Sequence, residues 1–298
     1  MTRIGLSAYG MPARDLLELS IAADRLGFDG LWLGEHLFHP AEYSSKHPSD
    51  GSAQHHTGPI VVPDTELVDP WVVFGAIAAA TTHLRVATGI YLLPLRHPLL
   101  TARTVATAQD LSGGRVVLGI GAGWLREEFD ALDIAYAERM PRLEESVEVL
   151  RKAWAGGTFA HSGRHFCFPS LQVTARPVDV PLVLGGNGPK ALARAARLGD
   201  GWFSSGTPSM ESAVALRDAL VREREQAGRS EPFRCVFRVE DLDAQAVSRY
   251  GSEGIDDLVL WADKVWVGAT REDRERSLAR CAHELGLDRH DVPVAAGS

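Results

Sequence analysis

Glu35-His36 ends a strand-like run, Asp29–Gly34, and His36 is the first side chain in the sequence suited to exchanging a proton near neutral pH. An unperturbed imidazole titrates at about 6.5, so it can donate or accept the proton that accompanies a redox step. A histidine there could equally serve only as a hydrogen-bonding structural group. His36, His39, His47, His55 and His56 crowd one segment, but their spacing matches no helical or ribbon ligand set and no cysteine joins them. No metal is expected.

Two glycine-rich stretches carry the second kind of chemistry. Gly185-Gly-Asn-Gly-Pro189 lies between a strand-like run and a helical one. Glycines allow a sharp turn and close approach to a ligand, and a helix opening at proline offers free N–H groups to an anion. A plain tight turn satisfies the same residues. Gly119-Ile-Gly-Ala-Gly123 also follows a strand but lacks the spacing of a dinucleotide fingerprint, and glycines relieve crowding at strand ends without any ligand. Thr88-Gly89-Ile90 closes another strand. Trp124, beside the glycines, is the tryptophan expected to line a pocket; Trp71 and Trp154 fall on amphipathic helices and read as core.

The elements that must hold these residues alternate from end to end. Strand-like runs at Arg3–Ala8, Asp29–Gly34, Leu84–Tyr91, Arg115–Gly121, Pro181–Gly185, Asp200–Ser204, Phe233–Val239 and within Asp256–Val267 are separated by helical stretches. Near-continuous apolar strands suit a parallel sheet covered on both faces. With no break in composition, the expectation is one α/β domain over residues 1–298, a (β/α)8 TIM barrel; an open doubly wound sheet is the alternative. Glu35–Val68 has no clear period and reads as a long loop after strand two. Gly157–Phe168 reads as a small hairpin turning at Ser162-Gly163 and capping the barrel, and both are expected to shape the pocket.

The 298 residues carry a formal charge of −8, which argues against nucleic acid or an anionic membrane as the main partner. The three cysteines are scattered without a CxxC pair, as packed reduced thiols would be. Neither a leader nor a membrane span is legible, and a cytoplasmic location is expected.

Taken together, Gly30-Leu-Trp-Leu-Gly-Glu-His36, Ala87-Thr-Gly-Ile-Tyr-Leu-Leu-Pro94, Leu111–Phe129 and Leu184–Pro189 with Gly199-Asp-Gly-Trp202 resemble the luciferase-like monooxygenase superfamily. The branch they resemble uses the deazaflavin coenzyme F420. The resemblance implies an oxidoreductase that moves a hydride between coenzyme F420 and a small organic substrate, with His36 as the catalytic proton carrier. It implies cofactor contacts from Glu35 and Glu127, and from Thr88, Gly89 and Ile90, whose peptide is a non-proline cis bond in the family. Gly121 and Gly123 would pass close to the ring, and Gly186, Asn187 and Gly188 would hold its phosphate. A deazaflavin tail runs on beyond that phosphate, so its site must stay open past Asn187. The family's sugar-phosphate dehydrogenases carry an acidic glutamate where this chain has Trp124, and their chemistry is not carried over. Two alternatives remain open, a monooxygenase using flavin mononucleotide (FMN) and oxygen, and a flavin-binding protein without activity. Family habit also implies a homodimer.

Overall fold

The computed structural model describes residues 2–47 and 62–287, so His55, His56 and the middle of the long loop lie outside the described residues. Along the chain run β1 (Arg3–Ala8), α1 (Ala13–Arg25), β2 (Gly30–Leu33), α2 (Pro70–Ala80), β3 (Arg85–Thr88), β4 (Tyr91–Leu92) and α3 (Pro98–Leu111). Next come β5 (Val116–Gly121), α4 (Arg126–Ala131), α5 (Arg139–Trp154), β6 (Thr158–Ser162), β7 (Cys167–Gln172), β8 (Leu182–Gly185) and α6 (Pro189–Leu198). The chain continues through β9 (Gly201–Phe203), α7 (Met210–Gln226), β10 (Arg234–Val239), α8 (Ala244–Ser252), β11 (Asp257–Trp261), α9 (Ala262–Val265) and α10 (Arg271–Glu284).

The large sheet has the order β3-β2-β1-β11-β10-β9-β8-β5, and β3 also pairs with β5, which closes it. All these pairings are parallel, so this is the (β/α)8 barrel the apolar strands predict. One layer of core, built on residues such as Leu6, Leu31 and Leu118, seals the strands against the helices. A second cluster fills the barrel itself: Trp32, Ala87, Val117, Val183, Phe203, Val236 and Val259. Trp32 and Phe203 stack there with ring centres 4.8 Å apart. A barrel filled by its own side chains leaves a ligand room only at an end.

Helix starts follow local chemistry. The Asp69 carboxylate accepts from the N–H groups of Trp71 and Val72 ahead of Pro70, and Thr270 with Asp273 forms a reciprocal capping box on α10. Three expectations need correction. The third strand does not run unbroken over Leu84–Tyr91: β3 stops at Thr88 and β4 resumes at Tyr91 as a short rung on β5. The hairpin turns over Gly163–Phe166, since Ser162 already pairs with Cys167, and its second strand extends to Gln172. Glu145 on α5 explains this, because its carboxylate accepts from the N–H groups of His165 and Phe166 and from His161 Nε2. That anchor lays the hairpin along α5 instead of over the barrel. Cys167, on the hairpin, is exposed rather than packed.

Charges close the N-terminal end of the barrel. At the start of β11, Asp257 is 5% exposed and accepts from Arg3 at 2.6 and 2.7 Å and from Arg234. Asp29, just before β2, adds contacts to Arg234 and Arg85 at 3.5 and 3.6 Å. Burial pushes the Asp257 carboxyl up, but the two guanidiniums outweigh it and hold the group below its ordinary value. A depressed folded value means this stabilisation is complete above the unfolded value near pH 4 and drains away as pH falls below it. Asp257→Ala should cost about 2–4 kcal/mol, somewhat less than a fully buried pair because Arg3 is partly exposed. Denaturant midpoints across pH 3–7 check this: the loss should be full at neutral pH and shrink on the acid side.

Candidate active site

At the C-terminal mouth of the barrel, the break after β3 makes the floor of a cavity of about 540 Å3. The peptide Gly89–Ile90 is cis. Three glycines on the neighbouring strands make room for this stretch. A Cβ at Gly119 would overlap the Thr88 carbonyl oxygen, one at Gly121 would overlap the end of the Ile90 side chain, and one at Gly185 would sit 3.1 Å from Ile90 Cγ2. Thr88 Oγ1 donates to the Gly119 carbonyl at 2.7 Å and ties β3 to β5 below the floor. The glycine spacing in Gly119-Ile-Gly thus serves the bulge.

His36 leaves the end of β2 and lines the cavity. Its Nδ1 lies 3.0 Å from Oε2 of Glu128, which is fully buried, and Oε1 of the same carboxylate accepts from the Leu37 N–H at 2.6 Å. With Nδ1–H donating to Glu128, the remaining nitrogen Nε2 is the one free to exchange a proton in the cavity. The rings of Trp124 and Tyr9 meet His36 edge-on at 5.5 and 6.0 Å. Glu35 also borders the cavity, but its carboxylate is engaged by Arg96 at 2.5 and 3.0 Å and by the Leu92 N–H at 2.9 Å. Burial pushes the Glu35 carboxyl up against the opposing pull of Arg96. Glu35 therefore braces β4, while His36 faces the cavity.

The loop after β8 is held from two sides. Trp202 Nε1 donates to the Gly186 carbonyl at 2.7 Å. The Asn187 side chain both accepts from the Ser205 N–H and donates to the Ser205 carbonyl, each at 2.8 Å. Gly186 has φ +111°, a conformation that favours glycine, and Gly188 caps α6 ahead of Pro189. Pro189 has no N–H and Ala191 donates to the Gly188 carbonyl, so the N–H groups of Gly188 and Lys190 and the positive end of the helix dipole are what make this a candidate anion cradle. Gly188, Pro189 and Lys190 are exposed, so the cradle opens to solvent beyond Asn187.

The structure brings Glu35, His36, Gly89, Ile90, Gly121, Gly123, Trp124, Gly186, Asn187 and Gly188 to one cavity. It does not bring Thr88 or Glu127. Thr88 is buried beneath the floor, and Glu127 turns away, accepting from Ser45 Oγ at 2.7 Å and from the Ser44 N–H at 2.8 Å. The hairpin contributes nothing to the lining either, whereas the long loop supplies His47. Sequence reasoning missed Glu128, although helical phase marks it: it follows buried Leu125 by three residues and adjoins buried Phe129, which leaves Glu127 on the outer side. It also missed Tyr9, Phe203, Ser204, Arg238 and Trp261, which complete the wall.

A cavity at the mouth of a closed parallel barrel, with a buried histidine–carboxylate pair at one end and a helix-capped glycine loop at the other, defines a ligand-binding barrel of the enzyme type. The family model described as luciferase-like monooxygenase matches residues 1–276, and the chain belongs to that family of oxidoreductases. An uncharacterized protein of Mycobacterium tuberculosis is 29% identical over 82% of this chain and 83% of its own length. The F420-dependent glucose-6-phosphate dehydrogenase of Nakamurella multipartita is 26% identical over 95% of this chain and 78% of its own. Among solved structures, monooxygenase RslO1 from Streptomyces bottropensis superposes with a TM-score of 0.72 at 21% identity, covering 95% and 98% of the two chains.

The glycine geometry makes two substitutions separable. Gly119→Ala must displace backbone and should cost about 2–3 kcal/mol of stability. Gly121→Ala meets only the end of Ile90, which can rotate into the cavity, so it should cost under about 1.5 kcal/mol while weakening ligand binding more than fivefold. Melting curves and ligand titrations on both variants check this ordering.

Proposed function

We propose that the chain is an oxidoreductase that uses coenzyme F420 to transfer a hydride to or from a small organic substrate. The observation that carries this reading is the anion cradle at Gly186-Asn187-Gly188, which suits a phosphate and yet opens to solvent through Gly188–Lys190. A cofactor whose tail continues past its phosphate needs such an opening, and Lys190 at the lip supplies a positive charge for the acidic tail. The cavity also suits the group: Ile90 and its glycine neighbours present a floor beneath a planar ring, and Trp124 walls one side. The relationship to an F420-dependent dehydrogenase over nearly the whole chain supports the same reading.

When bound, the deazaflavin supplies the carbon that takes or gives the hydride. The protein's own part is positional and acid–base. Backbone N–H groups at the start of α6 bind the phosphate, with Asn187 and Ser205 fixing the loop they come from. His36 Nε2 holds or releases the substrate proton, and Glu128 orients the ring and stabilises its protonated form. Trp124 and Tyr9 flank the imidazole and exclude water from it.

Titrating the purified protein with each cofactor, followed by fluorescence, tests the assignment. Coenzyme F420 should bind at micromolar concentration and FMN at least tenfold more weakly, a gap of about 1.4 kcal/mol. Tight FMN binding with no response to coenzyme F420 overturns it in favour of an oxygen-using monooxygenase. With any alcohol or carbonyl compound that supports turnover, His36→Ala should lower kcat by roughly 10²–10⁴ with cofactor affinity little changed. Glu128→Gln should lower it by a smaller factor, because the ring stays in place and only the charge is lost. A near-wild-type rate in His36→Ala removes His36 from the chemistry.

A further inference from the structure

Arg238 stands on the inward phase of β10, two residues beyond Val236 in the barrel-filling cluster, and it lines the floor of the cavity. It is 8% exposed. Its Nε donates to Ser7 Oγ at 3.1 Å, and its guanidinium lies 4.3 Å from the Trp261 ring centre and 4.8 Å from that of Phe203. No carboxylate among the described residues answers its charge. Burial alone acts on the group, pushing it down to about 9, so it stays protonated at neutral pH. The other charged groups around the cavity are satisfied: Glu35 by Arg96, Arg194 by Glu144, and the nearby Glu128 by His36 and the Leu37 N–H.

A buried cation without a counter-ion is costly, and two aromatic faces offset only part of that cost. The terminal nitrogens form a planar fork that matches a carboxylate. Nearby, the Tyr9 hydroxyl, one alternation along the chain from Ser7, has no hydrogen-bond partner among the described residues and borders the same cavity. The anion cradle at α6 stands on the ends of β8 and β9. Arg238 shares only β9 with it, through Phe203 and Ser204, and is otherwise seated against β1 and β11 through Ser7 and Trp261.

We infer that Arg238 is the substrate anchor: the substrate carries a carboxylate on an unsaturated or aromatic body, its oxygens on the guanidinium and its body against Phe203 and Trp261. This rests on the oxidoreductase reading for its reaction, but the recognition itself is a property of the protein without cofactor.

The experiment uses 2-naphthoate and its neutral isostere 2-naphthamide, titrated by calorimetry into the full chain without cofactor and again with coenzyme F420. The acid should bind at least tenfold more tightly than the amide. Arg238→Met should abolish that preference while changing affinity for coenzyme F420 less than threefold, and Arg238→Lys should keep a reduced preference. Equal binding of acid and amide, no saturable binding of the acid, or a preference that survives Arg238→Met overturns the proposal. A tenfold loss of cofactor binding in Arg238→Met with the preference intact also overturns it, assigning the guanidinium to the cofactor. The acid–amide pair on the wild-type chain needs no variant, so a misfolded substitution leaves the test standing. Because the first titration contains no cofactor, failure of the F420 assignment shows up separately.

Discussion

An eight-stranded parallel barrel has no room inside for anything but its own side chains, and that constraint governs this molecule. Trp32 and Phe203, stacked within the filled interior, block the axis, so a ligand can be met only at the mouth. There the floor must be made by backbone that leaves the strand path, and β3 does so after Thr88. Such a departure needs empty space on the strands beside it. β5 supplies it at Gly119 and Gly121, and β8, next in the sheet, supplies it at Gly185. The three glycines form one continuous relief into which Thr88–Ile90 settles. The cavity floor is therefore a property of three adjacent strands rather than of any one loop.

The two ends of the barrel treat charge in opposite ways. At the N-terminal end Asp257 is satisfied by two arginines, and Asp24 accepts from the consecutive N–H groups of Thr82, His83 and Leu84. Both carboxylates spend their hydrogen-bonding capacity within the fold, and the reward is stability. At the mouth, polar capacity is left in reserve: the second nitrogen of His36, the hydroxyl of Tyr9, the guanidinium of Arg238 and the first turn of α6. Unspent hydrogen-bonding capacity in a partly dry cavity costs folding energy, which is why it is confined to one face and braced by aromatic rings.

How far the sequence discloses this depends on the range of the interaction. The barrel is legible because apolar strands and capped helices are local patterns, as in Val116–Gly121 or Asp69 ahead of Pro70. The glycine loop at Gly186–Gly188 is legible because a strand, a turn and a helix start lie side by side in the chain. The interruption of the third strand is not, since it depends on the glycines of β5 thirty residues on. Glu127 was the wrong carboxylate to turn inward, and only the short helix of Leu125, Glu128 and Phe129, taken as a periodic face, separates the two. Arg238 left a trace as well: a charge on the inward phase of an otherwise apolar strand needs a reason, and the reason lies across the barrel at Ser7, Phe203 and Trp261.

Glu127 has a role in the site even without touching the cavity. Two consecutive carboxylates on α4, Glu128 fully buried and Glu127 partly exposed, grip the same segment, the one that follows β2. Glu128 takes His36 and the Leu37 N–H at its start, while Glu127 takes Ser44 and Ser45 further along. The hydrogen bonds from Ser45 and Ser44 outweigh the effect of burial and hold the Glu127 carboxyl below its ordinary value, so it is an acceptor throughout the neutral range. In return, Ser45 Oγ accepts from the Arg126 N–H at the first position of the helix, where no helical acceptor exists. The loop after the second barrel strand and the helix after the fourth are thus fastened at two points about eight residues apart, a clamp that a single contact could not provide. Just beyond the second point the segment brings His47 against the edge of Trp124, whose ring also meets His36. The orientation of the His36 imidazole is in this way set by α4, and the serines that pin α4 belong to the strand-two loop that begins with that imidazole.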